Sequence, residues 1–162
     1  LTALNINDPN HLLYNKLNLD RLGAFGVSLG GVIVSEASWR DRRIKASLIM
    51  ESPIPKKIAQ TGLPVPIMVI TRPAEAMRAE RKKSGGWTES DIEQHLSTMR
   101  ALFENTAESE FVQLPDMFHV DFTDVPLWVP FAQLLGLSGS TPIEETHDKL
   151  NSLTLNFFEE YL

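Results

Sequence analysis

The feature that most constrains this chain is a serine at the point where a strand-like run of residues gives way to a helix-like run. Leu22 to Phe25 has the length and bulk of a buried strand, and Leu29 to Ser35 consists of small and β-branched residues that suit a packed helix. Between them the chain reads Gly-Val-Ser-Leu-Gly, with the serine at position 28. A serine in such a turn holds a strained backbone, and its hydroxyl stands clear of the sheet. The stretch therefore predicts a strand, a sharp turn at Ser28 and a helix.

Three glycines surround this turn. We expect a Cβ at Gly26 or Gly30 to collide with the neighbouring strand or helix. Gly31 follows directly, and its missing side chain would let the helix pack closely on a strand. The N-terminus of that helix directs free backbone N–H groups and its positive dipole end toward Ser28. The pattern favours a nucleophilic serine over an ordinary glycine-rich turn.

Further apolar runs alternate with helical segments along the rest of the chain. Three of them are typical of buried strands, at 44–50, 66–71 and 110–114. Helices are predicted at 32–39, at 74–83, after the helix-starting residues 88–91, and at 143–162. Strands that alternate with helices pair in parallel through right-handed crossovers. The sequence therefore predicts an α/β fold, in which parallel strands alternate with helices on both faces of the sheet.

The composition excludes several classes of protein. The 162 residues, 43% of them hydrophobic and 22% charged, suffice for one domain with a sizeable core. A net charge of −6 argues against nucleic acid as a partner, because a phosphate-binding face needs concentrated lysine and arginine. No apolar run reaches the length of a transmembrane segment. The chain has no cysteine, so disulfides do not indicate a compartment, and cytoplasmic and secreted locations both stay open.

A serine hydroxyl becomes an effective nucleophile only with a base within hydrogen-bond reach. Functional side chains of parallel sheets collect where the strands end, and of the four histidines only His119 lies in a loop that follows a predicted strand. His11 precedes the first strand, and His147 belongs to the C-terminal helical region. We expect His95 to lie on a helix surface or in packing, outside any polar cluster. His119 is therefore the predicted base.

The base in turn needs a carboxylate that fixes its tautomer and stabilises its charged form. Glu51 directly follows the second predicted strand, whereas Glu75 lies several residues beyond the third strand, on a predicted helix. Asp121 and Asp124 are so close to His119 in sequence that such residues seldom turn back to orient its ring. We favour Glu51 as the acid and keep Glu75 as the alternative.

The chain begins with Leu-Thr-Ala-Leu, which has the character of the end of a helix. These residues are neither an initiator methionine nor part of a signal or transit peptide. We therefore expect the chain to be a portion of a longer protein.

Several segments together resemble the C-terminal half of α/β-hydrolases related to platelet-activating-factor acetylhydrolase. The similarity covers nearly the whole chain and is carried by residues 21–31, 42–46, 119–124 and 156–162. In that family the acid follows the strand after the serine, where Glu51 stands 23 residues beyond Ser28, and the histidine lies in a His-x-x-Phe-Thr-Asp loop, as His119 does. The chain departs from the family at Glu51, where aspartate is usual, and at Val27, where histidine is frequent.

The resemblance implies a serine hydrolase that cleaves carboxylic esters through an acyl-enzyme, as an acetylhydrolase, lipase or esterase does. Ser28 would attack the acyl carbonyl, His119 would carry the proton, and Glu51 would hold His119. The backbone N–H of Leu29 would stabilise the oxyanion. No metal and no cofactor are implied. The chain would be the C-terminal portion of one α/β-hydrolase domain, and its partner would be the missing N-terminal half, which carries further strands and the second oxyanion donor.

The apolar segment from Phe118 to Leu135 bears on the substrate. Its part at 126–135 predicts either a buried helix or a lid-like segment near the site. Such a segment is more often core, but it is also a candidate lining for an acyl or lipid-binding pocket. If it is exposed, it would favour a small ester or lipid-like substrate over a peptide. Two other functions stay open. One is a non-catalytic α/β-hydrolase-like binding or interaction domain, and the other is a cutinase- or polyester-hydrolase-like enzyme that uses Glu75 as its acid.

Overall fold

Four parallel strands follow one another across a single sheet in chain order. The computed structural model describes residues 2–129 and 131–162. Its strands are β1 (Leu22–Val27), β2 (Ile44–Met50), β3 (Ile67–Thr71) and β4 (Ser109–Gln113). Every neighbouring pair is parallel, and β2 is aligned with β1 from Gly23↔Ala46 to Val27↔Met50. The carboxyl ends of all four strands therefore meet at one edge of the sheet, as predicted.

Helices connect the strands and close the chain. They are α1 (Thr2–Ile6), α2 (Leu29–Arg40), α3 (Lys56–Thr61), α4 (Ala74–Ser84), α5 (Glu89–Asn105), α6 (Val125–Trp128) and α7 (Ile143–Tyr161), with a 3₁₀ turn at His119–Phe122. Local sequence explains the longest connecting helix, α5. Thr88 accepts a hydrogen bond from the Asp91 N–H, and the Asp91 carboxylate accepts one from the Thr88 N–H, which is a capping box.

The sheet is covered on both faces, which confirms the predicted α/β architecture. One core lies between the sheet and α2, α3 and α5, and it includes Val34, Ile49, Ile58, Val69 and Met99. The other core lies under α7 and includes Leu48, Ile70, Leu114, Leu150 and Phe157. The central strands β2 and β3 are buried on both sides, which explains why their sequences are nearly continuous apolar runs.

Of the two forms predicted for residues 126–135, a buried helix and a lid-like segment, the structure contradicts the buried helix. Only the short helix α6 forms there, and turns follow it. Its large apolar side chains face solvent: Val125, Leu127, Trp128, Phe131, Leu134, Leu135 and Leu137. We call residues 125–137 the exposed apolar segment; Pro130 within it, like Leu1 at the start of the chain, lies outside the described residues. A membrane-spanning helix, long and apolar enough to cross a bilayer, is not found among the described residues.

Candidate active site

Ser28 occupies a strained turn between β1 and α2. Its backbone has φ 55° and ψ −121°, a conformation that is rare for residues other than glycine. The Ser28 N–H donates a 3.0 Å hydrogen bond to the Met50 carbonyl at the end of β2, so the turn is fixed to the sheet. Strained backbone of this kind persists where surrounding structure holds it, and it is common at functional sites.

The glycines of this turn have different physical roles. A Cβ on Gly26 would overlap the backbone of Gly30, so the close approach of strand and helix requires Gly26. The expectation for Gly30 is wrong, because a Cβ there would meet no described atom within 4 Å. Gly31 has the packing role predicted for it. A Cβ on Gly31 would lie 2.5 Å from the Ser52 Cβ, beyond the end of β2.

This difference predicts opposite results for two alanine substitutions in the same helix turn. Gly31→Ala forces α2 away from Ser52, and we expect it to lower the free energy of unfolding by about 1–3 kcal/mol, as overpacking does. Gly30→Ala fills open space, and we expect a change of less than about 1 kcal/mol, toward higher stability. Urea unfolding of the two variants measures the difference. Equal losses in both would contradict the assigned packing.

His119 reaches Ser28 from the loop that follows β4, the strand at the opposite edge of the sheet from β1. It opens the 3₁₀ turn that follows β4, and its Nε2 lies 3.1 Å from the Ser28 Oγ across 91 residues of sequence. The structure therefore brings these two predicted residues into hydrogen-bond contact. Leu29 begins α2 directly after the serine, where the first N–H groups of a helix have no acceptor within the helix. The Leu29 side chain itself is exposed.

Asp121 fixes the loop that carries His119. Its carboxylate is buried and accepts hydrogen bonds from the Phe118 N–H at 2.6 Å and the Gly139 N–H at 2.8 Å. The Ser138 hydroxyl donates a third bond, of 2.5 Å, to the same carboxylate. These bonds tie the 3₁₀ turn to the segment before α7. Asp121 therefore holds the loop backbone, not the His119 ring.

Glu51 lies at the predicted place but contacts other partners. Like Ser28, it has a positive φ, of 48°, and it is fully buried at the end of β2. One carboxylate oxygen lies 2.9 Å from the His95 Nε2, and the other lies 2.9 Å from the Arg72 Nε. The His119 Nδ1 is buried, and no described residue gives it a hydrogen-bond partner. Glu51 is thus part of the site without a hydrogen bond to the His119 ring.

Two further charged residues complete the cluster. Arg72 directly follows β3 and is fully buried, and Glu80 on α4 is 8% exposed. A guanidinium nitrogen of Arg72 forms an ion pair with one oxygen of Glu80. The other Glu80 oxygen accepts a 3.2 Å hydrogen bond from the His119 backbone N–H. Charge and hydrogen bonds therefore connect the ends of β2 and β3 to the histidine loop.

The prediction that His95 lies outside any polar cluster is wrong. His95 is 1% exposed on α5, and it contacts Glu51, so it belongs to a polar cluster and not to a helix surface. The Trp87 ring packs edge-on against both imidazoles, with centroid distances of 5.2 Å to His95 and 5.7 Å to His119. Trp87 therefore covers the two histidines with one indole.

Glu75, the alternative acid, lies apart from this cluster. Its side chain is 80% exposed in the first turn of α4, and it is 3.7 Å from Arg78. The structure does not bring it to Ser28 or His119. Among the described residues, no group of three histidine or carboxylate side chains is arranged to hold a metal ion.

Burial sets the protonation state of His119. Desolvation of the cation lowers the pKa of His119 below its ordinary value of 6.5. The nearby charges act in both directions: Glu51 and Glu80 raise this pKa, and Arg72 and His95 lower it. The net lowering leaves the imidazole neutral near pH 7, which is the form that accepts a proton from serine.

Sequence reasoning missed four residues of the cluster: Arg72, Glu80, Trp87 and His95. A signal existed for Arg72, because it follows β3 directly, and position after a strand was the rule that selected Glu51 and His119. The other three come from α4, α5 and the connection between them. Their convergence depends on how these helices pack, which no local pattern encodes.

A cavity lies in the part of the chain that follows the histidine loop. Its volume is about 330 Å³, and it is lined by residues from the exposed apolar segment and the start of α7, including Leu127, Phe131, Ala132, Ser138 and Ile143. An apolar concave surface therefore lies next in the chain to the loop that carries His119.

Comparison with known proteins supports the fold. No protein-family model matches this chain, and no curated protein is significantly similar to it in sequence. Among solved structures, a ferulic acid esterase from Streptomyces cinnamoneus superposes on 90% of the chain with a TM-score of 0.66 and 19% sequence identity. The chain corresponds to 42% of that esterase, so it spans less than half of its length. The chain therefore has a parallel α/β fold like that of part of this esterase.

Proposed function

We propose that this chain carries the catalytic serine and histidine of a serine hydrolase that cleaves carboxylic esters. The observation that carries the proposal is the 3.1 Å contact between the Ser28 Oγ and the His119 Nε2. Three features support it: the positive φ at Ser28, the start of α2 directly after Ser28, and the lowered pKa of His119. A strained nucleophile, a free helix N-terminus and a neutral imidazole are what acyl transfer to serine requires.

The reaction would proceed in two steps. The Ser28 Oγ attacks the acyl carbonyl while its proton moves to the His119 Nε2, and the Leu29 N–H stabilises the oxyanion. His119 then gives that proton to the departing alcohol, the ester C–O bond breaks, and an acyl-enzyme remains. In the second step His119 takes a proton from water, the resulting hydroxide attacks the acyl group, and Ser28 recovers its proton as the carboxylic acid leaves.

Glu51 is the proposed acid of this reaction. Its negative charge is the largest of the nearby charges that raise the pKa of His119, so it favours the imidazolium that forms during catalysis. Because its oxygens contact His95 and Arg72, Glu51 would act through its charge on His119 and not through a fixed hydrogen bond. Glu75 has no such position, which removes the support for a cutinase-like enzyme with Glu75 as the acid.

The exposed apolar segment bears on the class of substrate. Trp128 and Phe131 are 77% and 76% exposed, and Phe131 lines the apolar cavity. An exposed apolar segment that follows the histidine loop in the chain favours a small ester or lipid-like substrate over a peptide. The acetylhydrolase specificity implied by the sequence resemblance is the narrower form of this proposal. The solved structure with the similar fold is likewise that of a protein named as an esterase.

A fluorophosphonate probe tests the proposal, because it reacts only with an activated serine. In the full-length protein we expect one label per chain, on Ser28, and no labelling of the Ser28→Ala variant. Ser97→Ala is the matched control, since Ser97 is an exposed helix serine away from the cluster, and it should be labelled like the wild type. The labelled peptide is identified by mass spectrometry. A folded wild-type protein that takes up no label would contradict the proposal.

One observation favours a second function, that of a non-catalytic binding or interaction domain with a hydrolase fold. The His119 Nδ1 lacks a hydrogen-bond acceptor among the described residues, while both Glu51 oxygens contact other side chains. A serine–histidine pair without a fixed acid is poorly activated. The same labelling experiment separates the two functions, because an unactivated Ser28 leaves the probe unreacted.

A further inference from the structure

Three charged side chains form a buried chain of contacts behind the Ser28–His119 pair. Glu51 and Arg72 are fully buried and lie 2.9 Å apart, and Arg72 also forms an ion pair with Glu80. We call Glu51, Arg72 and Glu80 the buried bridge. It begins at the end of β2, passes the end of β3 and ends on α4. One guanidinium thus joins two carboxylates that come from different elements of the fold.

The far end of the buried bridge holds the backbone of His119. Glu80 accepts the His119 N–H at 3.2 Å, and this N–H belongs to the first residue of the 3₁₀ turn. First-turn N–H groups have no acceptor within their own turn, so an external carboxylate both satisfies this donor and fixes the entry of the loop. The position of the His119 ring relative to Ser28 therefore depends on where Arg72 holds Glu80.

Burial makes this arrangement costly. Removing ions from water is compensated only when each ion keeps well-placed partners, and a buried ion pair adds little net stability compared with apolar packing. Arg78, on the same helix as Glu80, pairs with Glu75 and Glu89 at the partly exposed surface. Ion pairs there lose less hydration than buried ones do. The buried bridge lies instead against the histidine loop, which favours a role in positioning that loop.

We propose that Arg72 is a positioning residue of the ester hydrolase, and that it acts by joining Glu51, whose charge acts on the His119 ring, to Glu80, which holds the His119 backbone. The effect of Arg72 on catalysis rests on the proposed function. The structural part of the inference concerns the His119 loop alone and can be measured without turnover.

Four charged or titratable groups face His119, and each should move the pKa of His119 in a direction set by its charge. They are Glu51, Arg72, Glu80 and His95, from β2, β3, α4 and α5. Removing the Glu80 charge should lower the pKa of His119, and removing the Arg72 charge should raise it. A residue that served stability alone would change unfolding without moving this pKa in a direction set by its charge.

Variants at Glu80 separate its charge from its hydrogen bond. Glu80→Gln removes the charge but keeps an oxygen that accepts the His119 N–H. Glu80→Ala removes both, so we expect faster hydrogen exchange at the His119 amide and a fall in kcat/KM of about 10²-fold, as for a small misplacement of a catalytic group. Arg72→Gln leaves two buried carboxylates without a counter-ion and is tested together with Arg72→Lys, which keeps the charge.

The measurements use the full-length protein. Nuclear magnetic resonance of labelled histidine follows the titration of the His119 ring, and hydrogen–deuterium exchange follows the peptide that holds its amide. We expect the His119 pKa to fall in Glu80→Gln, to rise in Arg72→Gln and to return toward the wild type in Arg72→Lys. Arg78→Gln is the control and should leave both readouts unchanged.

An unchanged His119 pKa in Glu80→Gln with unchanged exchange in Glu80→Ala would overturn the inference. Absence of probe labelling in the wild type would overturn the proposed function instead.

Discussion

Replacing His119 by alanine is expected to lower kcat/KM for an activated ester by about 10⁴-fold or more. The reason is that His119 contacts the Ser28 Oγ and is the only imidazole among the described residues that does so. Without it the serine proton has no acceptor, and the departing alcohol has no donor. Hydrolysis of p-nitrophenyl acetate by the full-length protein measures the loss.

The wild-type pH profile gives an independent check on the same residue. Because burial lowers the pKa of His119, its neutral form persists below pH 6.5. Activity should therefore fall on the acid side with an apparent pKa below 6.5. His11→Ala is the control, since His11 is exposed and lies outside the site, and it should keep the rate and the profile of the wild type. A His119→Ala variant that retained activity would assign the base elsewhere.

Replacing Glu51 by glutamine is expected to lower kcat/KM on the order of 10²- to 10⁴-fold, while Glu75→Gln should change it by less than about twofold. Glutamine is nearly isosteric with glutamate but carries no charge to favour the His119 imidazolium. Glu75 is 80% exposed on α4 and contacts neither member of the serine–histidine pair. Both variants replace a carboxylate by an amide. A difference between their kcat/KM values therefore reports the position of the carboxylate in the fold.

The same substitution should also reduce stability. Glu51→Gln leaves buried Arg72 with Glu80 as its remaining carboxylate, and we expect a loss of about 3 kcal/mol in the free energy of unfolding. Kinetics are therefore compared below the unfolding transition, which circular dichroism locates. Glu51→Asp keeps the charge and should recover most of the activity. Equal activity of Glu51→Gln and the wild type, or a loss confined to Glu75→Gln, would contradict the assignment of Glu51.

The elements of the fold were predictable because each has a local signal. The runs that became β2 and β3 are nearly all apolar, as strands buried on both faces must be, and Thr88 with Asp91 marks the start of α5. The buried helix, one of the two forms predicted for residues 126–135, was wrong because it too was inferred from a local signal. Its bulky apolar residues indicated burial, but only α6 formed, and Trp128 and Phe131 face solvent. Apolar composition does not reveal whether another element is available to cover it.

Some residues of the candidate site could be predicted from the sequence and others could not. Ser28 and Glu51 directly follow a strand, and His119 lies in the loop after one. Because the carboxyl ends of parallel strands meet at one edge, sequence was sufficient to nominate these three residues. His95 was misread because its position on α5 says nothing about which side chains approach that helix from β2 and β3. That Glu51 is the acid acting on His119 stays a prediction, and the glutamine variants test it.

The sequence by itself determined the parallel α/β order of this chain, the strained turn at Ser28 and the choice of His119, because each depends on residues that are neighbours in the chain or on a rule of sheet geometry. Only the tertiary structure decided that Glu51 contacts Arg72 and His95, that Glu80 holds the His119 backbone, and that Gly30 faces open space. Those contacts join residues that lie far apart in the chain. They depend on how closely helices pack on the sheet, a distance that no local pattern of residues specifies.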